Sequence, residues 1–250
     1  MNRNLIFLLL LLTVSWMSPG DVQAKKSLKV RIDKGDVRIG YLDGTVQVLP
    51  KGTQAWRALN LKDTLQGGDE VTVGRKSRLE LILTDQSRLR FADDTRFTIL
   101  QAGDENTQDV KVHLAVGRTW ANVSKSLGIK RKFEIACDNA IAGVRGTIYR
   151  MNVDQDASVL VRVYDGEIAV SGATKPLEAP KAIGPPTRVA GPKKIAGPTK
   201  VTMEEWTVII RSMQQISIGT DGAASKPREF TEQEDRDEWV DWNKARDAEH

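Results

Sequence analysis

The sequence predicts an all-β protein: a compact, many-stranded β domain, then a proline- and glycine-rich linker, then two short C-terminal helices. Three observations predict it. Apolar residues alternate with polar ones over most of residues 36–172. Turn-forming residues interrupt the alternation at short intervals. Six of the nine prolines then fall between Pro176 and Pro198.

The alternation is plain in several runs. Leu79, Leu81 and Leu83 share one phase, as do Leu89 and Phe91, Val110, Val112 and Leu114, Tyr149, Met151 and Val153, and Val159, Val161 and Val163. Successive side chains on a strand point to opposite faces, so these runs read as half-buried strands. Asp43-Gly44, Gly67-Gly68, Asp85-Gln86-Ser87, Asp93-Asp94, Gly117, Asp138-Asn139 and Asp165-Gly166 separate them. Glycine reaches positive φ without a steric cost, and Asp or Asn closes local turns with its side chain. Asp165-Gly166 reads as a two-residue hairpin. A sandwich, a barrel and a short solenoid all satisfy this pattern.

The flanking segments read differently. Residues 1–24 have the three-part layout of a secretory signal peptide: a weakly positive start at Arg3, an apolar run from Leu5 to Val14, and Val22-Gln23-Ala24 before the cleavage point. The apolar run is shorter than the roughly 20 residues a spanning helix needs. The mature chain is expected to be periplasmic or secreted, with no membrane span. Residues 25–172 form the β domain and 173–200 the linker, where Gly-Pro recurs at 184, 191 and 197. Residues 201–250 form the helical tail. Thr202 with Glu205 makes a capping box, followed by Trp206, Ile209, Ile210 and Met213 on one helical face. Thr231 with Glu234 opens a second, acidic helix carrying Trp239 and Trp242. Docking on the β domain is the plain role for Trp206, Trp239 and Trp242, and partner binding is the sharper one.

Composition excludes several chemistries. Cys137 is the only cysteine, so an internal disulfide and thiolate zinc sites are out; it shares a phase with Phe133 and Ile135 and reads as a core thiol. The two histidines, His113 and His250, have no ligand spacing around them. There is no phosphate loop or nucleotide fingerprint, so no cofactor is expected. The net charge of +4 is mild and interspersed, unlike a nucleic-acid binder. Paired carboxylates leave a carbohydrate-active enzyme as the less favoured alternative. The leading expectation is a non-catalytic envelope module that binds a protein or a cell-surface polymer.

One stretch carries a resemblance. Phe133-Glu134-Ile135-Ala136-Cys137-Asp138-Asn139-Ala140-Ile141-Ala142-Gly143-Val144-Arg145-Gly146-Thr147 resembles the signature of the FecR domain family. Gly68-Asp69-Glu70-Val71-Thr72-Val73-Gly74, Thr84-Asp85-Gln86-Ser87, Gly117-Arg118-Thr119-Trp120-Ala121 and Asp165-Gly166-Glu167-Ile168 are similar to its other blocks, in order, over about 70–172. The resemblance implies a periplasmic β-rich interaction module. It also implies that Val144, Arg145, Gly146, Thr147, Gly117 and Trp120 are motif residues with structural roles. Gly146 reads as a tight turn, and Arg145, amid apolar neighbours, as a charge that needs a partner, with anion binding as its alternative. The best-known members of the family are inner-membrane regulators that relay signals to sigma factors. They carry a cytoplasmic segment and a membrane span, where this chain has a signal peptide. Its C-terminal helices would then pass a signal to a membrane partner as an accessory sensor.

Overall fold

A computed structural model describes residues 37–102, 109–125, 132–172 and 206–249. The signal peptide over 1–24, the linker over 173–200 and the Thr202–Glu205 box lie outside the described residues. In chain order the strands are β1 (Val37–Asp43), β2 (Val46–Leu49), β3 (Arg57–Ala58), β4 (Thr64–Leu65), β5 (Glu70–Val73), β6 (Arg78–Ile82), β7 (Arg88–Phe91), β8 (Thr95–Ala102) and β9 (Val110–Asn122). They continue as β10 (Phe133–Ala136), β11 (Ala140–Val144), β12 (Ile148–Val153), β13 (Val159–Asp165), β14 (Glu167–Gly172), β15 (Thr207–Arg211), β16 (Gln214–Ile218) and β17 (Arg228–Glu229). Among the described residues there is one helix, α1 (Glu238–Ala248).

The strands pair in two sets. The first sheet runs β4-β1-β6-β7-β9-β12-β13-β16-β17. The second runs β3-β2-β5-β8-β9-β10-β11-β14-β15. All neighbours are antiparallel except β9 and β10. Strand β9 belongs to both sheets. Val110 to Val116 pair with β8 and β10, and Gly117 to Asn122 pair with β7 and β12. Gly117 makes the switch at φ +109°, where a Cβ would lie 2.6 Å from the Thr95 Cα. No side chain fits there.

One hydrophobic core draws on both sheets. It holds Leu79, Leu81, Leu89, Phe91, Tyr149, Met151, Val161 and Val163 from the first, and Val71, Phe97, Leu114, Ile135, Ala142 and Val170 from the second. The rings of Phe91 and Phe97 stack at 3.7 Å across the divide. Burying each such side chain contributes roughly 1.5–3 kcal/mol. Cys137 is buried in this core, and burial pushes its thiol pKa up. The β domain is therefore two sheets over a shared core, and the chain crosses between them at most of its turns. It leaves the first sheet for the second at Asp94 and at Gly166, and returns at Met213, all at positive φ.

Two expectations are corrected here. Asp165-Gly166 does not close a hairpin. β13 pairs with β12 and β16, β14 pairs with β11 and β15, and Gly166 (φ +87°) turns the corner between sheets. A two-residue turn satisfies a corner as well as a hairpin, and the sheet's need for inter-strand partners decides between them.

The residues after Trp206 are not a helix. Thr207-Val208-Ile209-Ile210 is a β-branched run, which loses χ1 freedom in a helix and suits a pleated surface. It pairs along β14 from Thr207↔Ser171 to Arg211↔Glu167. The second predicted helix is present but starts later. Thr231 and Glu234 exchange both capping-box bonds, at 2.8 and 3.2 Å, and these close a turn. The helix opens at Glu238, where the Asp237 carboxylate accepts from the Val240 N–H at 2.7 Å.

Candidate functional site

Strand register places a row of polar residues across the outer face of the first sheet. Glu80 on β6 is opposite Arg90 on β7, and Arg90 is opposite Trp120 on β9. The row continues to Arg150 on β12, Arg162 on β13 and Gln215 on β16. Their chain neighbours Leu81, Leu89, Ala121, Tyr149, Val161 and Ile216 fill the core on the other face. The row faces outward, yet Glu80 and Arg90 are 0% exposed, Trp120 and Gln215 1% and Arg150 5%. The cover is the chain's own C-terminal segment.

Three carboxylates tie the cover to the row. Glu80 accepts from Arg90 Nε at 2.5 Å, from Arg88 at 3.2 Å and from Arg246 of α1 at 3.1 and 3.3 Å. Asp247, in the last turn of α1, accepts from Arg90 Nη1 at 2.7 Å and from the Trp120 indole at 2.8 Å. Asp235, 4% exposed, accepts from Arg150, Arg162 and the Tyr164 hydroxyl. Breaking one side of such a buried pair leaves an uncompensated charge and costs about 3–5 kcal/mol. Burial raises the Glu80 carboxyl pKa, but the bonds from Arg246 and Arg90 outweigh it, and the net shift is below the ordinary value of 4.5. Burial, with the hydrogen bond to Asp235, pushes the Tyr164 phenol far up.

Aromatic packing completes the closure. Trp239 and Val240 pack with Trp120 and Ala92 in a second apolar cluster, flanked by Trp242, Tyr164 and Ile148. Trp239 and Trp242 stack at 5.3 Å, and Trp120 meets Tyr164 at 4.4 Å. The guanidinium of Arg78 lies 4.9 Å from the Trp242 ring centre, and that of Arg246 lies 5.3 Å from it.

Cavities lie beside α1 and on the second sheet. One, of about 450 Å³, lies at the start of α1 between Lys76, Arg78, Asp93, Arg118 and Trp239. Another, of about 480 Å³, lies on the second sheet between Phe133, Gly143, Val144, Arg145, Ala169 and Ile209. Among the described residues no group of His, Cys, Asp or Glu is placed to hold a metal ion. No described helix is long and apolar enough to cross a membrane.

The motif residues divide between these places. Trp120 lies in the row. Gly117 is the switch in β9. Val144 and Arg145 line the second cavity, where Arg145 is exposed. The arginines that burial does constrain are Arg90 and Arg150. Gly146 turns into β12 at φ +63°, where a Cβ would meet the Lys125 side chain at 2.3 Å. Thr147 is buried and donates to the Glu167 carbonyl at 2.8 Å, which ties the turn to β14. Trp206 is half-buried against the core beside Gly172, and Trp239 and Trp242 lie against the first sheet. Sequence reasoning passed over Glu80, Arg90, Arg150, Arg162, Asp235 and Asp247, because each reads as ordinary polar alternation or as an acidic helix.

The fold and site define a predominantly β protein of two sheets, in which the outer face of the first sheet is closed by the chain's own C-terminal segment. Residues 69–169 match the family model described as FecR protein, so this part of the chain, from the start of β5 into β14, is a FecR domain. That family is regulatory and non-enzymatic. No curated protein matches the chain. Two crystal structures of a candidate anti-sigma factor from Parabacteroides distasonis ATCC 8503, at 1.65 and 2.50 Å, are similar at 15% identity. Their TM-scores are 0.44 and 0.45, and each alignment covers 66% of this chain and 61% of that one. The chain thus spans less than two thirds of that protein's length.

Proposed function

We propose that this protein is a non-catalytic, exported module of the cell envelope that senses or relays a signal by binding a protein or cell-surface polymer. The observation that carries the reading is the FecR domain over 69–169, which belongs to a regulatory family. The chemistry of the site agrees with it. The carboxylates of Glu80, Asp235 and Asp247 are each engaged by guanidinium, indole or phenol donors, an arrangement that holds parts together. Export rests on the signal-peptide layout of residues 1–24.

Crosslinking of the tagged full-length chain in intact cells, followed by fractionation and mass spectrometry, tests this. Recovery of a mature chain starting at Lys25, joined to one envelope protein or polymer, supports the reading. Recovery of an uncleaved chain crosslinked only to cytoplasmic proteins overturns it.

A further inference from the structure

The FecR domain and its cover have opposite charge. On the sheet side, Arg78, Arg88, Arg90, Arg150 and Arg162 stand against Glu80. On the cover side, residues 231–249 hold eight acids against three bases. All five arginines lie within 69–169, and the cover lies outside it. The basic face therefore belongs to the FecR domain, and the acidic segment is an addition to it.

The fit between them is incomplete. Four buried side-chain groups lack a hydrogen-bond partner among the described residues: Arg90 Nη2, Gln215 Nε2, Trp239 Nε1 and Tyr149 Oη. Tyr149 belongs to the inter-sheet core. The other three belong to the covered row or to α1, and all three are N–H donors. The contact is short of acceptors, and a buried donor left unpaired costs free energy. The grip of α1 is also narrow: only Trp239, Val240 and Asn243 of the helix are buried.

We propose that the outer face of the first sheet is a docking surface for an acidic, tryptophan-bearing segment of a partner protein, and that residues 231–249 occupy it as an exchangeable stand-in. A partner segment supplying further carboxylate or carbonyl oxygens to Arg90 and Gln215 outcompetes the stand-in, because it satisfies donors that the stand-in leaves bare. The inference rests on the reading of this chain as a binding module, and it names the surface and the chemistry of the partner.

A labelled synthetic peptide of residues 231–249 tests it by fluorescence anisotropy against the full mature chain. Wild type is expected to bind weakly, because its own segment competes. Asp247→Asn weakens the stand-in by a charge-assisted hydrogen bond, so the peptide is expected to bind about tenfold more tightly to that variant. Adding Arg150→Gln, or removing the acids from the peptide, is expected to abolish the gain. Equal binding to wild type and Asp247→Asn overturns the proposal. So does a dimer that exchanges 231–249 between copies, which would give the face to a second copy of the chain.

Hydrogen exchange on wild type keeps the test decisive should the variant fail to fold. Amides of α1 that open locally, with roughly 100-fold less protection than β7 and β12, support exchange. Equal protection throughout overturns it. An envelope partner crosslinked away from this face would sink the surface and leave the binding-module reading standing. Peptide binding with only cytoplasmic partners in cells would do the reverse.

Discussion

Trp120 and Asp247 are 127 residues apart in the chain, and the indole N–H of the first donates to the carboxylate of the second at 2.8 Å. Trp120 lies on the strand that runs through both sheets, and Asp247 lies in the last turn of the final helix. The same carboxylate accepts from Arg90 at 2.7 Å. One side chain thus ties the last turn of α1 to two members of the polar row.

Asp247→Asn is expected to destabilise the protein by about 1.5 kcal/mol, the loss of a charge-assisted hydrogen bond, since Glu80 still pairs with the buried Arg90 charge. Urea denaturation followed by tryptophan fluorescence reads this. The midpoint should fall with the slope unchanged. A loss below about 0.5 kcal/mol, the level of an exposed ion pair, would mean that this contact does not hold the helix.

Glu80 and Arg90 should be energetically coupled. In a double-mutant cycle with Glu80→Gln and Arg90→Gln, the coupling is expected to be about 1–3 kcal/mol. Additive losses would show that Arg88 and Arg246 satisfy Glu80 equally well alone.

The Glu80 carboxyl titrates below its ordinary value, so its ionised form is favoured by folding. Its contribution is complete above the ordinary pKa of 4.5 and is lost as pH falls below that value. Stability measured from pH 7 to 3 should decline more steeply in wild type than in Glu80→Gln. Parallel curves would remove Glu80 from the acid response.

Gly117→Ala puts a methyl group at φ +109°, within 2.6 Å of the Thr95 backbone. Strain of this kind costs about 1–3 kcal/mol before the clash is counted. Circular dichroism melting should show a large drop, or no folded protein. A near-neutral result would mean that β9 crosses between sheets with room to spare.

Ile210 is 0% exposed on β15. Ile210→Ala is expected to cost about 2–5 kcal/mol, as for any core strand. A cost under 1 kcal/mol would mean that β15 is not packed as a core strand.

The alternation of Leu79, Leu81, Leu89, Phe91, Met151 and Val161 made the strands and the inner face legible in the sequence. The same alternation placed Glu80, Arg90, Arg150 and Arg162 on the polar side, where they looked like solvated surface. Only register shows that they form one row, and register depends on pairings between distant strands, as with Arg162 and Gln215, 53 residues apart. The helix over Trp206 to Met213 was misread because Ile209, Ile210 and Met213 fit the helical spacing while Val208 and Ile210 fit the strand spacing. A run this short satisfies both periods, and the open edge of β14 decides between them. The acidic helix was legible in residues 231–245, although the Thr231–Glu234 box closes a turn before it, but its docking face was not, because its partners lie on several different strands.

The passage of β9 through both sheets, with crossings at Asp94, Gly166 and Met213, bears on how the molecule is assembled. Neither sheet is a contiguous piece of chain, so neither can be finished while the other is missing. Pairing that depends on distant segments folds slowly and as a unit. The chain should therefore show one broad kinetic barrier with no stable half-domain. Residues 238–248 then find their seat only when the strands beneath them are in place.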